Sequence, residues 1–194
     1  MFYYILHTVC SFTGDSFSKW QGLGLNLILF TMIQILMYCF TSRLFADKIY
    51  ALLTAAFYGF CTGTISNVLY IRMYTMLTLF TVLFAFLIYM LSYSDNNWIY
   101  PAIFIVSVCG FLTQYYFYVY AFFVSAIFCI IQLFKKKISV ILKYALTVFS
   151  AIATAIWYNP YTLKHIFSGY RGKEALTNFT DMVFLKIFMV ISQN

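Results

Sequence analysis

The chain has 194 residues, of which 64% are hydrophobic, 23% aromatic and only 9% charged, with a formal net charge of +7. A soluble domain of that size needs more polar surface than this composition provides, so the chain belongs in a bilayer and not in the aqueous phase. Cys10, Cys39, Cys61, Cys109 and Cys129 are scattered through apolar segments without a CxxC or Cys/His pairing, so they read as small buried hydrophobes. They point to neither a metal site nor a disulfide; no cofactor and no nucleic-acid partner is expected.

A helix needs about 20 apolar residues to cross the hydrocarbon core, because the backbone must satisfy its own hydrogen bonds there and rises about 1.5 Å per residue. Residues 1–21 precede the first such run and are expected to form an extracytoplasmic juxtamembrane segment. Gly22 to Ser42 is a span, closed by Arg43 and followed by the polar link "RLFADK". Its opening "GLGLN" has no strand before it, as a dinucleotide loop would need, and reads as helix packing. From Ile49 to Tyr93 the sole charge is Arg72, in "SNVLYIRMYTML". That run is too long for one helix, so a turn is expected near "TGTISN", with a second helix through "RMYTMLTLFTVLFAFLIYML" and Arg72 at its start, near a membrane surface.

"SYSDNNW" ends this helix. Ile99 to Phe134 contains no charge, and as one helix it would measure about 54 Å against a core of about 30 Å. It is therefore expected to be a hairpin turning near "GFLTQYY", with short or tilted arms. "KKK" at Lys135 to Lys137 stops it, "ISVILKYALTVFSAIATAIWY" spans again, residues 159–181 form a long polar loop, and "MVFLKIFMVIS" begins a last span. The expected fold is an all-α polytopic transmembrane helix bundle, about six spans with juxtamembrane helices, in a single transmembrane domain over residues 1–194.

Orientation follows from the lysines and arginines of short loops. Placing "KKK" in the cytoplasm puts Arg43, Lys48 and Lys143 there too, and Lys19, Arg72, Lys164, Arg171 and Lys173 on the opposite side. Residues 1–21, the Arg72 turn, the "TQYY" turn and the 159–181 loop then share the extracytoplasmic face. His7, Arg72, Tyr74, Gln114, Tyr115, Tyr116, His165, Arg171, Lys173 and Glu174 would line that face, and a one-sided polar surface on a hydrophobic bundle reads as a site.

In the loop, Asn159-Pro160 is an N-cap and first-turn pair, and Leu163, Ile166, Phe167 and Tyr170 fall on one helical face. Lys164, Ser168 and Arg171 point away from it, which describes an interfacial helix with its basic side toward headgroups. In "GYRGKE" that follows, Arg171 and Lys173 can hold a phosphate.

Taken in order, "FYYILHTVCSFTGDSFSKW", "TSRLFADKIYALLTAAFYGF", "YIRMYTMLTLFTVLFAFLIYML", "GFLTQYYFYVYAFF" and "HIFSGYRGKEAL" resemble the multi-pass glycosyltransferases of the GT-C fold, and more narrowly the bacterial relatives of dolichyl-phosphate-mannose protein mannosyltransferases. That family reads "PPLYYLLLH", "ARMYALL" and "LTHYYF" at corresponding places, with Gln114 here where the family has a histidine. The resemblance implies an inverting membrane glycosyltransferase. It would move a sugar from a polyprenyl-phosphate donor to an extracytoplasmic glycan, lipid or protein acceptor, with a plasma-membrane location and an active face outside. It implies a donor phosphate site at Arg72, Arg171 and Lys173, and a pocket lined by His7, Tyr74, Gln114, Tyr115, Tyr116, His165 and Glu174. The family's catalytic carboxylate lies on a loop upstream of "PPLYY", so the base is expected before Met1 and the chain is expected to be part of a GT-C enzyme, its N-terminal catalytic loop and C-terminal part missing. Asp15, Asp95, Glu174 and Asp181 do not match its position. A divalent metal is possible in such chemistry and not indicated by these residues. The alternatives are a non-enzymatic membrane protein, a transporter or lipid-handling subunit, or an inactive fragment. Polar groups gathered at mid-depth would favour transport, and groups gathered on one outer face favour transfer.

Overall fold

A computed structural model describes residues 1–13, 18–94 and 96–160. Every regular element among them is a helix: α1 (Phe2–Thr13), α2 (Lys19–Phe45), α3 (Lys48–Phe60), α4 (Thr62–Leu69), α5 (Tyr74–Tyr93), α6 (Ile99–Thr113), α7 (Tyr116–Phe134) and α8 (Ile138–Tyr158). The chain is an all-α polytopic bundle. Among the described residues α2, α5, α7 and α8 are long and apolar enough to cross a membrane, and the bent pair α3–α4 is a fifth candidate. The expected last span, "MVFLKIFMVIS", and the interfacial helix lie outside the described residues.

Local chemistry sets the helix ends. Ser18 caps α2 with a capping box: its hydroxyl accepts from the Trp20 N–H at 3.4 Å while the Gln21 side chain accepts from the Ser18 N–H at 2.8 Å. α2 stops at Ala46, which takes the left-handed conformation at φ 54°. Asp47 then caps α3, its carboxylate accepting from the Ile49 N–H at 2.8 Å. Pro101 falls in the first turn of α6, where its missing N–H has no intrahelical partner to lose.

The hairpin of residues 99–134 turns at Gln114–Tyr115, inside the expected "GFLTQYY", and the lysine run separates α7 from α8. Its first arm, α6, has 15 residues and spans only about 22 Å. The expected turn at "TGTISN" is corrected. Those residues form α4, the chain bends by 56° at Cys61 just before them, and the turn proper is Tyr70–Met73. Serine, threonine and asparagine read as breakers in sequence because their side chains compete for backbone groups. Here the Cys61 carbonyl takes the N–H groups of Thr64 (3.0 Å) and Ile65 (3.1 Å), so a new helix starts at once and the bend leaves few groups unpaired. Arg72 accordingly sits in the connection, two residues before α5, and not within the helix.

The chain divides into two units, Met1–Ala153 and Thr154–Asn194. Within the first, α2 packs on α3 and α5, and α5 on α6 and α7. In lipid such contacts rest on close packing, since hydrocarbon is no less apolar than leucine. Gly110 shows the principle: a Cβ there would meet the Phe117 ring at 2.5 to 2.7 Å, so only glycine lets α6 and α7 come this close. Phe117 is fully buried, edge-on to Phe84 (5.5 Å) and Phe111 (5.2 Å). α1 is not a loose tail: Phe2 and Leu6 are buried against Leu29 and Ile33 of α2 and Met76 and Leu79 of α5.

Candidate functional site

Contacts within the first unit distinguish two ends of the bundle. At one end the Arg43 guanidinium stands over the Phe86 ring (5.6 Å), the Tyr89 hydroxyl donates to the Arg43 carbonyl (3.3 Å), and the Lys135 ammonium donates to the Ser92 carbonyl (3.2 Å) while facing the Tyr93 ring (5.4 Å). The C-termini of α2, α5 and α7 meet there, with the cations that sequence assigned to one side.

The opposite end brings together α1, the start of α2, the Tyr70–Met73 turn and the Gln114–Tyr115 turn. The Met1 nitrogen donates to the Leu112 carbonyl at 3.3 Å, which seats α1 beside the end of α6. Ile71 and Met73, the neighbours of Arg72, pack on the cluster that holds Phe2 and Leu6. Gly22, one turn into α2, receives the Ile71 side chain, where a Cβ would meet Ile71 Cγ2 at 2.5 Å. Cys10 of α1 donates from its thiol to the Gln21 side chain at 3.3 Å.

Of the expected site residues, His7, Arg72, Tyr74, Gln114, Tyr115 and Tyr116 are described, and all belong to this end. Arg72 is exposed, with its guanidinium carbon 5.9 Å from the centre of the Tyr70 ring, and its N–H donates to the Tyr70 carbonyl at 2.7 Å. His7 and Tyr116 are exposed, and Tyr74 and Tyr115 half-buried. The rings of Tyr115 and Tyr116 lie 4.3 Å apart. Gln114 is buried, caps α6 with its N–H on the Gly110 carbonyl (3.3 Å), and has a side-chain oxygen without a hydrogen-bond partner among the described residues. His165, Arg171, Lys173 and Glu174 lie outside the described residues.

Sequence reasoning passed over two residues here. Lys19 opens α2 one turn before Gly22, so a second exposed cation stands at the Arg72 end. Its place in a helix-starting segment was the available signal. Asn26, fully buried in the middle of an apolar run, donates to two carbonyls of the segment leading to Arg72. The only acidic side chain described is Asp47, which caps α3 at the other end; Asp15, Asp95, Glu174 and Asp181 lie outside the described residues. This end is therefore cationic among the described residues, which suits an anion. No group of three or more metal-ligating side chains gathers among the described residues.

Among the described residues, Gln34, Gln132 and Lys143 lie on separate helices and do not form a track. Gln34, oriented to donate to the Ala55 carbonyl (2.8 Å) and accept from the Gly59 N–H (3.2 Å), ties α2 to α3. Gln132 is buried on α7 near the Lys135 end, and the Lys143 ammonium faces the Tyr100 ring at 5.8 Å. An apolar groove of about 270 Å³ runs between α7 and α8, from Phe111 and Tyr118 to Cys129 and Tyr144. Its few polar atoms include the Ser125 and Tyr144 hydroxyls, bonded to each other at 2.6 Å. Its lining at Phe111 and Tyr118 comes within about a turn of Gln114, at the cationic end.

Compared with known families, curated proteins and solved structures, the chain matches none.

Proposed function

We propose that the chain is part of a membrane glycosyltransferase that moves a sugar from a polyprenyl-phosphate donor to an extracytoplasmic acceptor. The observation that carries this reading is the gathering of the Arg72 turn, the start of α2 with Lys19, α1 with His7 and the buried Gln114 amide at one end of a transmembrane bundle, with an apolar groove opening beside it. In this reading Arg72 holds the donor phosphate, and the isoprenoid chain follows the groove between α7 and α8. Arg171 and Lys173 are proposed as further phosphate ligands, with His165 and Glu174 beside them. The location proposed is the plasma membrane, with this end facing out.

The chemistry asks for two kinds of group. An acceptor oxygen attacks C1 of the sugar, the bond from C1 to the phosphate oxygen breaks with inversion, and the acceptor proton passes to a carboxylate. The phosphate leaves already charged, so cations stabilise it and no proton need be given to it. Arg72 and Lys19 suit the second task. For the first, no carboxylate stands at this end among the described residues. Transport is the weaker reading because Gln34, Gln132 and Lys143 are engaged or buried on separate helices and do not meet at mid-depth.

The test is transfer from an undecaprenyl-phosphate-linked hexose by membranes carrying the chain in its full gene context. Arg72→Ala is expected to lower turnover about 100-fold or more, the scale of removing one preorganised charge partner from a developing anion, while insertion is unchanged. Equal transfer by wild type and Arg72→Ala would remove Arg72 from the site and leave it as an interfacial anchor.

A further inference from the structure

Asparagine about one turn into the apolar span of α2 needs a reason, because an amide buried among apolar side chains is costly unless paired. Asn26 is fully buried on α2, and both hydrogens of its nitrogen are used: one bond goes to the Val68 carbonyl at 3.0 Å and one to the Tyr70 carbonyl at 2.8 Å. These acceptors exist because α4 is short and ends without a following turn of helix, which leaves its last carbonyls without intrahelical donors. Ser66 is served by the Tyr70 N–H (3.0 Å) and Asn67 by the Thr75 hydroxyl (3.2 Å) from α5. Asn26 supplies Val68 and Tyr70 from α2. The Tyr70 oxygen it holds also accepts from the Arg72 N–H at 2.7 Å, so a single carbonyl links the α2 amide to the backbone of Arg72.

We propose that Asn26 is a positioning residue for Arg72. Its two-pronged hydrogen bond docks the Tyr70–Met73 turn on α2 and holds the guanidinium at the cationic end of the bundle. The consequence for catalysis rests on the reading of Arg72 as the phosphate-holding cation. The docking itself does not.

Deuterium uptake over residues 66–75, measured on the full chain in nanodiscs, tests the docking. Asn26→Leu keeps the branched shape and removes both donors, and is expected to speed uptake there about fivefold, the effect of one net hydrogen bond on a local opening equilibrium. Ile103→Ala, which opens a cavity on α6 outside the cluster that Ile71 and Met73 pack on, is expected to leave uptake there unchanged. Should Asn26→Leu not insert, Asn26→Ser serves: its hydroxyl offers one donor for two carbonyls and is expected to give intermediate uptake. Wild-type uptake in whichever Asn26 variant inserts, or an equal rise in Ile103→Ala, overturns the proposal. The functional arm is a double-mutant comparison in the hexose-transfer assay. Asn26→Leu with Arg72→Ala is expected to be no slower than Arg72→Ala alone. An additive loss from Asn26→Leu overturns the link to Arg72. If wild type in its full gene context transfers no sugar, the glycosyltransferase reading fails, and the uptake experiment still decides whether Asn26 docks the turn.

Discussion

Gly110→Ala tests how the hairpin that carries Gln114, Tyr115 and Tyr116 is held. The new methyl would lie 2.5 Å from Cζ, 2.6 Å from Cε1 and 2.7 Å from Cδ1 of Phe117, far inside van der Waals contact. The ring has little room to turn away, since it is fully buried and wedged edge-on between Phe84 and Phe111. α6 and α7 must separate instead, and such overpacking costs about 1–3 kcal/mol. Alanine's helix propensity returns up to about 1 kcal/mol, so the net loss is about 1–2 kcal/mol, or roughly 5- to 30-fold in the unfolding equilibrium. Unfolding of the purified chain in mixed micelles by increasing SDS, followed by helical circular dichroism, reads this directly. Phe117→Leu in the Gly110→Ala background should recover part of the loss, with a coupling of about 1 kcal/mol between the two sites. A Gly110→Ala chain as stable as wild type would refute the close approach of these helices.

The two glycines of "GLGLN" should behave differently in the same assay. Gly22→Ala drives a methyl into Ile71 and is expected to cost about 1–2 kcal/mol, whereas Gly24→Ala, with nothing within 4 Å, is expected to be neutral or to stabilise by up to about 1 kcal/mol. Equal effects would deny that α2 seats the Arg72 turn. Gln132 is fully buried, and neither atom of its amide has a partner among the described residues, so Gln132→Met should raise stability by about 1–3 kcal/mol by removing an unrecovered desolvation cost. A loss of stability there would show that the amide is paired after all.

Helix placement was largely legible because, in a bilayer, the chain must offer runs of apolar residues of fixed minimum length and interrupt them with charge or turn residues. α2, the α6–α7 hairpin and α8 follow the spans from Gly22, Ile99 and Ile138, and the "KKK" break falls where the charge puts it. The "TGTISN" turn was misplaced because helix-breaking propensity is a local tendency, and Cys61 and Asn26 satisfy the backbone so that α4 forms where the residue types argue for a turn. The site was legible only as a sidedness: charges at alternate ends of successive spans put Arg72 with the Gln114 turn and Arg43 with Lys135.

The sequence by itself determined that this is a multi-helix membrane protein, where most of its helices begin and end, and which turns share an end. The reason is that hydrophobic length and charge spacing are one-dimensional properties. Tertiary structure alone decided what holds that end together: α1 packed through Phe2 and Leu6, Ile71 seated on Gly22, and two carbonyls gathered by Asn26. Hydrogen bonds and close packing between residues some 42 to 49 positions apart depend on how α2, α4 and the Arg72 turn meet in space. No local pattern records that meeting.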